Sequence, residues 1–167
     1  AKVALEGMST PSTAAMLGNR YPQRGLTMNK AIVLKGVPIR HEAPATAAMN
    51  PGHFVEPVEN GVGLVDGSTN TLVRPRLVMP ADYIGNGLTD EFAAGDVVQY
   101  AAFDTGDWAY ARAAASTTFT RGDRVIVNAS GVAAVATTET SDLVVGYVAE
   151  TKTTGSTSDE FIKMEVL

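Results

Sequence analysis

The sequence predicts a mainly β protein, a small sandwich or barrel preceded by an extended N-terminal arm. Three observations predict it. After Asp96, short apolar runs alternate with turn clusters at the spacing of a small all-β domain. Ala, Val, Thr and Gly supply much of the chain while aromatics make up 7% of it, a mixture that suits short strands on tight turns. Finally, Phe92-Ala-Ala-Gly95-Asp96-Val-Val98 is echoed by Phe119-Thr-Arg-Gly122-Asp123-Arg-Val125. In each copy an anchoring Phe precedes a Gly-Asp turn and a strand follows, which reads as two related hairpins inside one domain.

Residues 1–30 read as the arm. Pro11, Pro22, Gly7, Gly18 and Gly25 break any long element, and only one helical turn is expected, at 12–17 with Ser12 as its cap. The β domain is expected over 31–167, irregular with edge strands to residue 90 and hairpin-rich from 91. Residues 31–35 form a short apolar run ended by Gly36 and Pro38. With Pro44, Pro51 and Pro57, the stretch 41–57 reads as a long irregular connection. Pro75 removes a ladder donor from 72–79 and makes it an edge or bulged strand. Strands are then expected at 97–101, 108–113, 124–127, 132–137, 143–149 and 161–166. Gly95, Asp96, Gly106, Gly122, Asp123 and Gly131 mark the structural turns between them.

A net charge of −5 and a pI near 5.0 give no basic field for a nucleic-acid backbone, so DNA and RNA are not expected as partners. The absence of cysteine excludes disulfides, thiolate zinc sites and a cysteine nucleophile. No apolar run approaches the roughly 20 residues of a membrane-spanning helix, so no membrane association is expected, and the first residues do not read as a secretory signal. Expression in the cytoplasm, or packing into a particle assembled there, fits these features.

The catalytic inventory is nearly empty. Asp104-Thr105-Gly106 matches the short signature of aspartic proteases, in which two such carboxyls share a proton and activate water. The same letters are ordinary turn chemistry, and Asp107 would crowd a dyad with negative charge. Arg121-Gly122-Asp123 spells an integrin-recognised tripeptide, but its Gly-Asp belongs to the repeated phrase. His41 and His53, the only histidines, stand apart in the proline-rich stretch and read as solvated loop residues rather than metal ligands. No catalytic, metal or cofactor site is expected. Trp108, Tyr110 and Tyr100 alternate on strands and read as core packing ahead of the alternative, a face for sugars or subunits. In the arm, Arg20, Tyr21 and Arg24 are residue types enriched where proteins meet.

The hairpins also carry a resemblance. Phe92-x-x-Gly-Asp-x-Val, then Phe119-x-x-Gly-Asp-Arg-Val-Ile-Val-Asn with Gly131, then Leu143-Val-Val-Gly-Tyr-Val148 resemble small β proteins of tailed-phage head-gene clusters, the capsid decoration or cement proteins. The resemblance covers 91–167. It implies a β-barrel or β-tulip standing on an icosahedral shell, outside an assembled capsid made in the host cytoplasm. It further implies a virion protein that bridges neighbouring copies of the major capsid protein and stabilises the shell. Homo-oligomers are expected, a trimer ahead of a dimer. Leu5, Met16, Leu17, Arg20, Tyr21, Arg24 and Leu26 are the arm residues expected at the capsid or subunit interface. Two other functions are carried alongside: a homodimeric aspartic protease using Asp104, and a carbohydrate-binding or adhesin-like module using Trp108.

Overall fold

A computed structural model describes residues 32–66, 74–81, 87–137, 143–157 and 160–167. The arm at 1–30, its helical turn at 12–17 and the interface residues Leu5, Met16, Leu17, Arg20, Tyr21, Arg24 and Leu26 lie outside the described residues. Within them the protein is all β and contains no helix.

The largest sheet is built around β7 (Trp108–Arg112), β13 (Phe161–Val166), β11 (Gly146–Val148), β9 (Arg124–Val127) and β10 (Ala133–Val135), in that spatial order, with β1 (Val33–Lys35) outside β7. All its ladders are antiparallel. Each strand alternates, so one face is apolar. Ala109, Ala111, Ile162, Met164, Val148, Val125 and Val127 point into a buried cluster. The alanines of β7 leave room that Phe54, Phe103 and Phe119 help to fill, each of these rings being at most 1% exposed. Burying a Phe side chain contributes about 1.5–3 kcal/mol, so these rings rank among the principal stabilising groups.

The mainly β fold is as expected; of the sandwich or barrel forms expected, a closed barrel is not formed among the described residues. The sheet curls until Ala113, just past β7, meets Ala133 of β10 in one parallel bridge, with Ala114 N donating to Ala133 O at 2.8 Å. Among the described residues no strand continues that contact into a ladder, and the sheet is open there.

A second sheet runs β2 (Ile39–Pro44), β6 (Val97–Ala102), β5 (Arg76–Val78). Its middle strand serves two cores: Ala101 joins the first cluster, whereas Val98 and Tyr100 join a second one with Met49, Val55, Val62, Val78 and Phe92. Two smaller ladders complete the structure, β3 (Val55–Val58) with β4 (Gly61–Leu64) and β8 (Thr118–Phe119) with β12 (Lys152–Thr153). The stretch 41–57 is thus not the irregular connection expected from its prolines, since it holds most of β2 and the start of β3. Pro44 sits in the outermost strand, and Pro57 pairs with Val62 at a position whose nitrogen faces away from β4, so neither breaks a ladder.

One glycine-bearing turn is used four times among the described residues, and its two hydrogen bonds recur at 87–90 with Thr89 in the glycine's place. The glycine form occurs at 93–96, 104–107 and 120–123, where the first N–H donates to the carboxylate of the fourth residue at 2.8, 3.0 and 2.8 Å. At 50–53 the acceptor is His53 Nδ1, at 3.1 Å. In every copy the fourth N–H returns a bond to the first carbonyl. The third residue is glycine at φ between 85° and 94°, a region that costs an L side chain about 1–2 kcal/mol. The residue before each turn is a buried anchor: Met49, Phe92, Phe103 or Phe119.

Candidate functional site

Asp104 is accounted for by this turn. Asp107, not Asp104, supplies the carboxylate that binds the backbone. The Asp104 side chain is 56% exposed and pairs with Arg74 at 2.7 Å. A half-exposed, ion-paired carboxylate in a surface turn has none of the enclosure that makes two carboxyls share a proton. In Arg121-Gly122-Asp123, the Asp123 carboxylate accepts the Thr120 N–H, and Gly122 N donates to Val148 O at 2.8 Å. The tripeptide is therefore a structural turn strapped to β11.

The two histidines have separate surroundings. His41 lies on β2 and stacks on Tyr100, with ring centroids 5.3 Å apart. His53 closes the first turn and borders a hollow of about 750 Å³ with Leu64, Asn128, Ser130 and Val132. Asn128 is already committed there, its Oδ1 accepting from Ser130 N and Val132 N. Among the described residues no group of three or more His, Asp or Glu side chains could hold a metal.

Arg112 is the one charged residue among the described residues that is buried, at 1% exposure. Its guanidinium donates to Pro51 O at 3.4 Å and Leu88 O at 3.0 Å and lies 5.2 Å from the centroid of the Phe161 ring. It joins the 50–53 turn to the 87–90 segment, a role in architecture rather than chemistry.

The outer face of the large sheet is where exposed chemistry gathers. Register places Lys35, Trp108, Glu165, Tyr147 and Arg124 in one row across β1, β7, β13, β11 and β9. Tyr110 and Lys163 pair in the next row. The Lys163 ammonium sits 4.2 Å and that of Lys35 5.8 Å from the Trp108 ring centroid, contacts of about 0.5–1 kcal/mol at a surface. Beside Trp108 is a shallow cavity of about 270 Å³, lined by Arg121, Gly122, Tyr147, Val148 and Glu165 among others. Trp108 and Tyr110 share a sheet face, on which Tyr110 is half-buried and packs against the main core cluster. Tyr100 does not share it: it is 7% exposed and packs in the second core. Tyr147, 44% exposed, belongs to the face and was not singled out from sequence. The signal available was its position between the inward residues Gly146 and Val148. Trp108 and Tyr147, amid Lys35, Lys163, Arg121 and Arg124, form a surface suited to contact and recognition.

No family model matches the chain, and no curated protein matches it. Among solved structures, the chain is similar to the N base of the head fibre protein gp8.5 of bacteriophage phi29. Identity is 12%, the match covers 78% of this chain and 95% of that one, and the TM-score is 0.51. At that identity the likeness establishes a shared fold. The solved structure is a fibre base rather than a cement protein.

Proposed function

We propose that this chain is a structural virion protein that binds the outside of an assembled phage capsid and stabilises it by bridging neighbouring capsid subunits. The observation that carries the reading is the fold likeness to a phage head-fibre base over nearly the whole of that base. The β framework supports it, because a rigid unit with an exposed aromatic and cationic sheet face offers a ready contact surface. Arg and Tyr of the 1–27 arm would add reach across a subunit boundary once the β unit is seated. A protein that binds the mature shell better than free subunits stabilises the shell by mass action. The major capsid protein is the partner in this reading. Its test is co-sedimentation of the purified chain with phage heads that lack it. Saturable binding to heads, weakened by deleting 1–27, is expected. Heads that bind none of it would overturn the reading.

One observation favours a second reading, a carbohydrate-binding module: the cavity is lined by the aromatic Trp108 and Tyr147 together with Arg121 and Glu165, which can bond hydroxyl groups. Glycan binding abolished by Trp108→Ala would favour it over shell binding.

A further inference from the structure

Strand β2 is exposed along most of its length, with Ile39 at 52%. Its inner edge bonds to β6. Because Ala45 N donates to Asp96 O at one end, and Gln99 O is taken by Met79 on the far side of β6, alternation fixes which groups face outward. The N–H and C=O of Ile39, His41 and Ala43 serve β6, and those of Arg40 and Glu42 point to the free edge. Among the described residues that edge is met only at its Pro44 end, where Gly61 backs onto the Pro44 carbonyl and Thr46 N bonds Val62 O.

We propose that this edge pairs with the same edge of a second copy of the chain, antiparallel, about a two-fold axis through His41. The sequence Pro38-Ile39-Arg40-His41-Glu42-Ala43-Pro44 is self-complementary about that residue. Antiparallel pairing sets Arg40 against Glu42 of the partner twice and Ile39 against Ala43 twice, and it stops short of Pro44, whose outward carbonyl Gly61 covers. Arg40 and Glu42 are the residues whose main-chain groups face outward, so each such pair exchanges two backbone hydrogen bonds as well as opposite charges. The prolines, which have no N–H to offer, fall at the next bonding positions and end the ladder on both sides. A slip of one residue would bring a β6-facing backbone to the new interface, and a slip of two would set Arg40 against Arg40 or Glu42 against Glu42, so this register alone matches both backbone and charge. Glu42 is also steadied from within its own sheet by Gln99 Nε2, at 2.7 Å from its Oε1. The pairing is independent of the shell-binding reading.

The test uses the full chain. Sedimentation velocity over a concentration series should show a reversible dimer. Glu42→Lys should raise its dissociation constant at least about tenfold by setting like charges opposite, and adding Arg40→Glu to that variant should restore it. The chain has no cysteine, so His41→Cys introduces a single thiol. At the axis the two Cα atoms would stand about 4.5 Å apart, within disulfide reach. Mild oxidation should therefore cross-link this variant and leave Val58→Cys largely uncross-linked. A monomer at every concentration, an oligomer indifferent to Glu42→Lys, or equal cross-linking at 41 and 58 would overturn the proposal. Should Glu42→Lys fail to fold, the charge-swapped pair and the cross-link decide the question.

Discussion

The fourfold turn can be tested by comparing two glycines that share a conformation and differ in surroundings. Gly122 has φ +94° and an added Cβ would meet no atom within 4 Å, so Gly122→Ala carries only the conformational cost, about 1–2 kcal/mol. Gly52 has φ +85°, but an added Cβ would lie 2.5 Å from Phe161 Cε1 and 3.1 Å from the backbone nitrogen of Arg112. The Phe161 ring cannot swing aside freely because the Arg112 guanidinium stacks on it. Overpacking of this kind adds about 1–3 kcal/mol, for a total of about 2–5 kcal/mol in Gly52→Ala. Equilibrium urea unfolding measures both, with melting shifts of about 2–4 °C per kcal/mol for a chain of this size as a check. Equal costs for the two variants would refute the steric argument. A neutral Gly122→Ala would refute the conformational one.

Asp107→Ala should cost about 1 kcal/mol by removing the turn acceptor, while Asp104→Asn, which loses only a surface ion pair, should stay within about 0.5 kcal/mol; peptide hydrolysis by the wild type that Asp104→Asn abolishes would contradict the turn assignment. Arg112→Ala should destabilise by about 3–5 kcal/mol in urea titration, because it strips donors from the Pro51 and Leu88 carbonyls and opens the space beside Phe161; a loss below about 1 kcal/mol would show that the clamp is dispensable. The Lys152 ammonium, and then the Gly155 N–H, hold the Glu160 carboxyl below its ordinary value of 4.5. A depressed value means the contribution is present above the ordinary range and is lost as pH falls through the folded-state value. Thermal melts followed downward from about pH 5 should therefore fall less steeply in Glu160→Gln than in the wild type, and parallel profiles would rule the pair out as a source of acid sensitivity.

How far the sequence carried depends on what each feature demands of the chain. Strands at 124–127 and 161–166 were legible to the residue because period-two alternation and flanking turns coincide there. β2 was not, because Pro44 and its polar neighbours read as loop; at an exposed edge proline loses nothing. The turn motif was legible twice and used four times. At Phe103-Asp-Thr-Gly-Asp the letters were all present but read as a protease signature, and at Met49-Asn-Pro-Gly-His methionine and histidine stand in for the anchor and the acceptor. The outer face was half legible. Trp108 and Tyr110 share a strand, but Lys35, Tyr147 and Lys163 join them only through pairings between distant segments, which no local pattern reveals. Tyr100 follows alternation, packing with Val98 as core while Val97 and Gln99 face outward; only at Ala101 and Ala102 does burial on both faces blur the pattern.

The proposed role is to strengthen a phage head from outside. Its most direct test is the rupture threshold of mature particles with and without the protein, measured by nanoindentation or by heating. Particles that lack it should assemble normally, rupture at lower force or temperature, and recover the wild-type threshold when the purified chain is added back. Identical thresholds for the two kinds of particle would contradict the account.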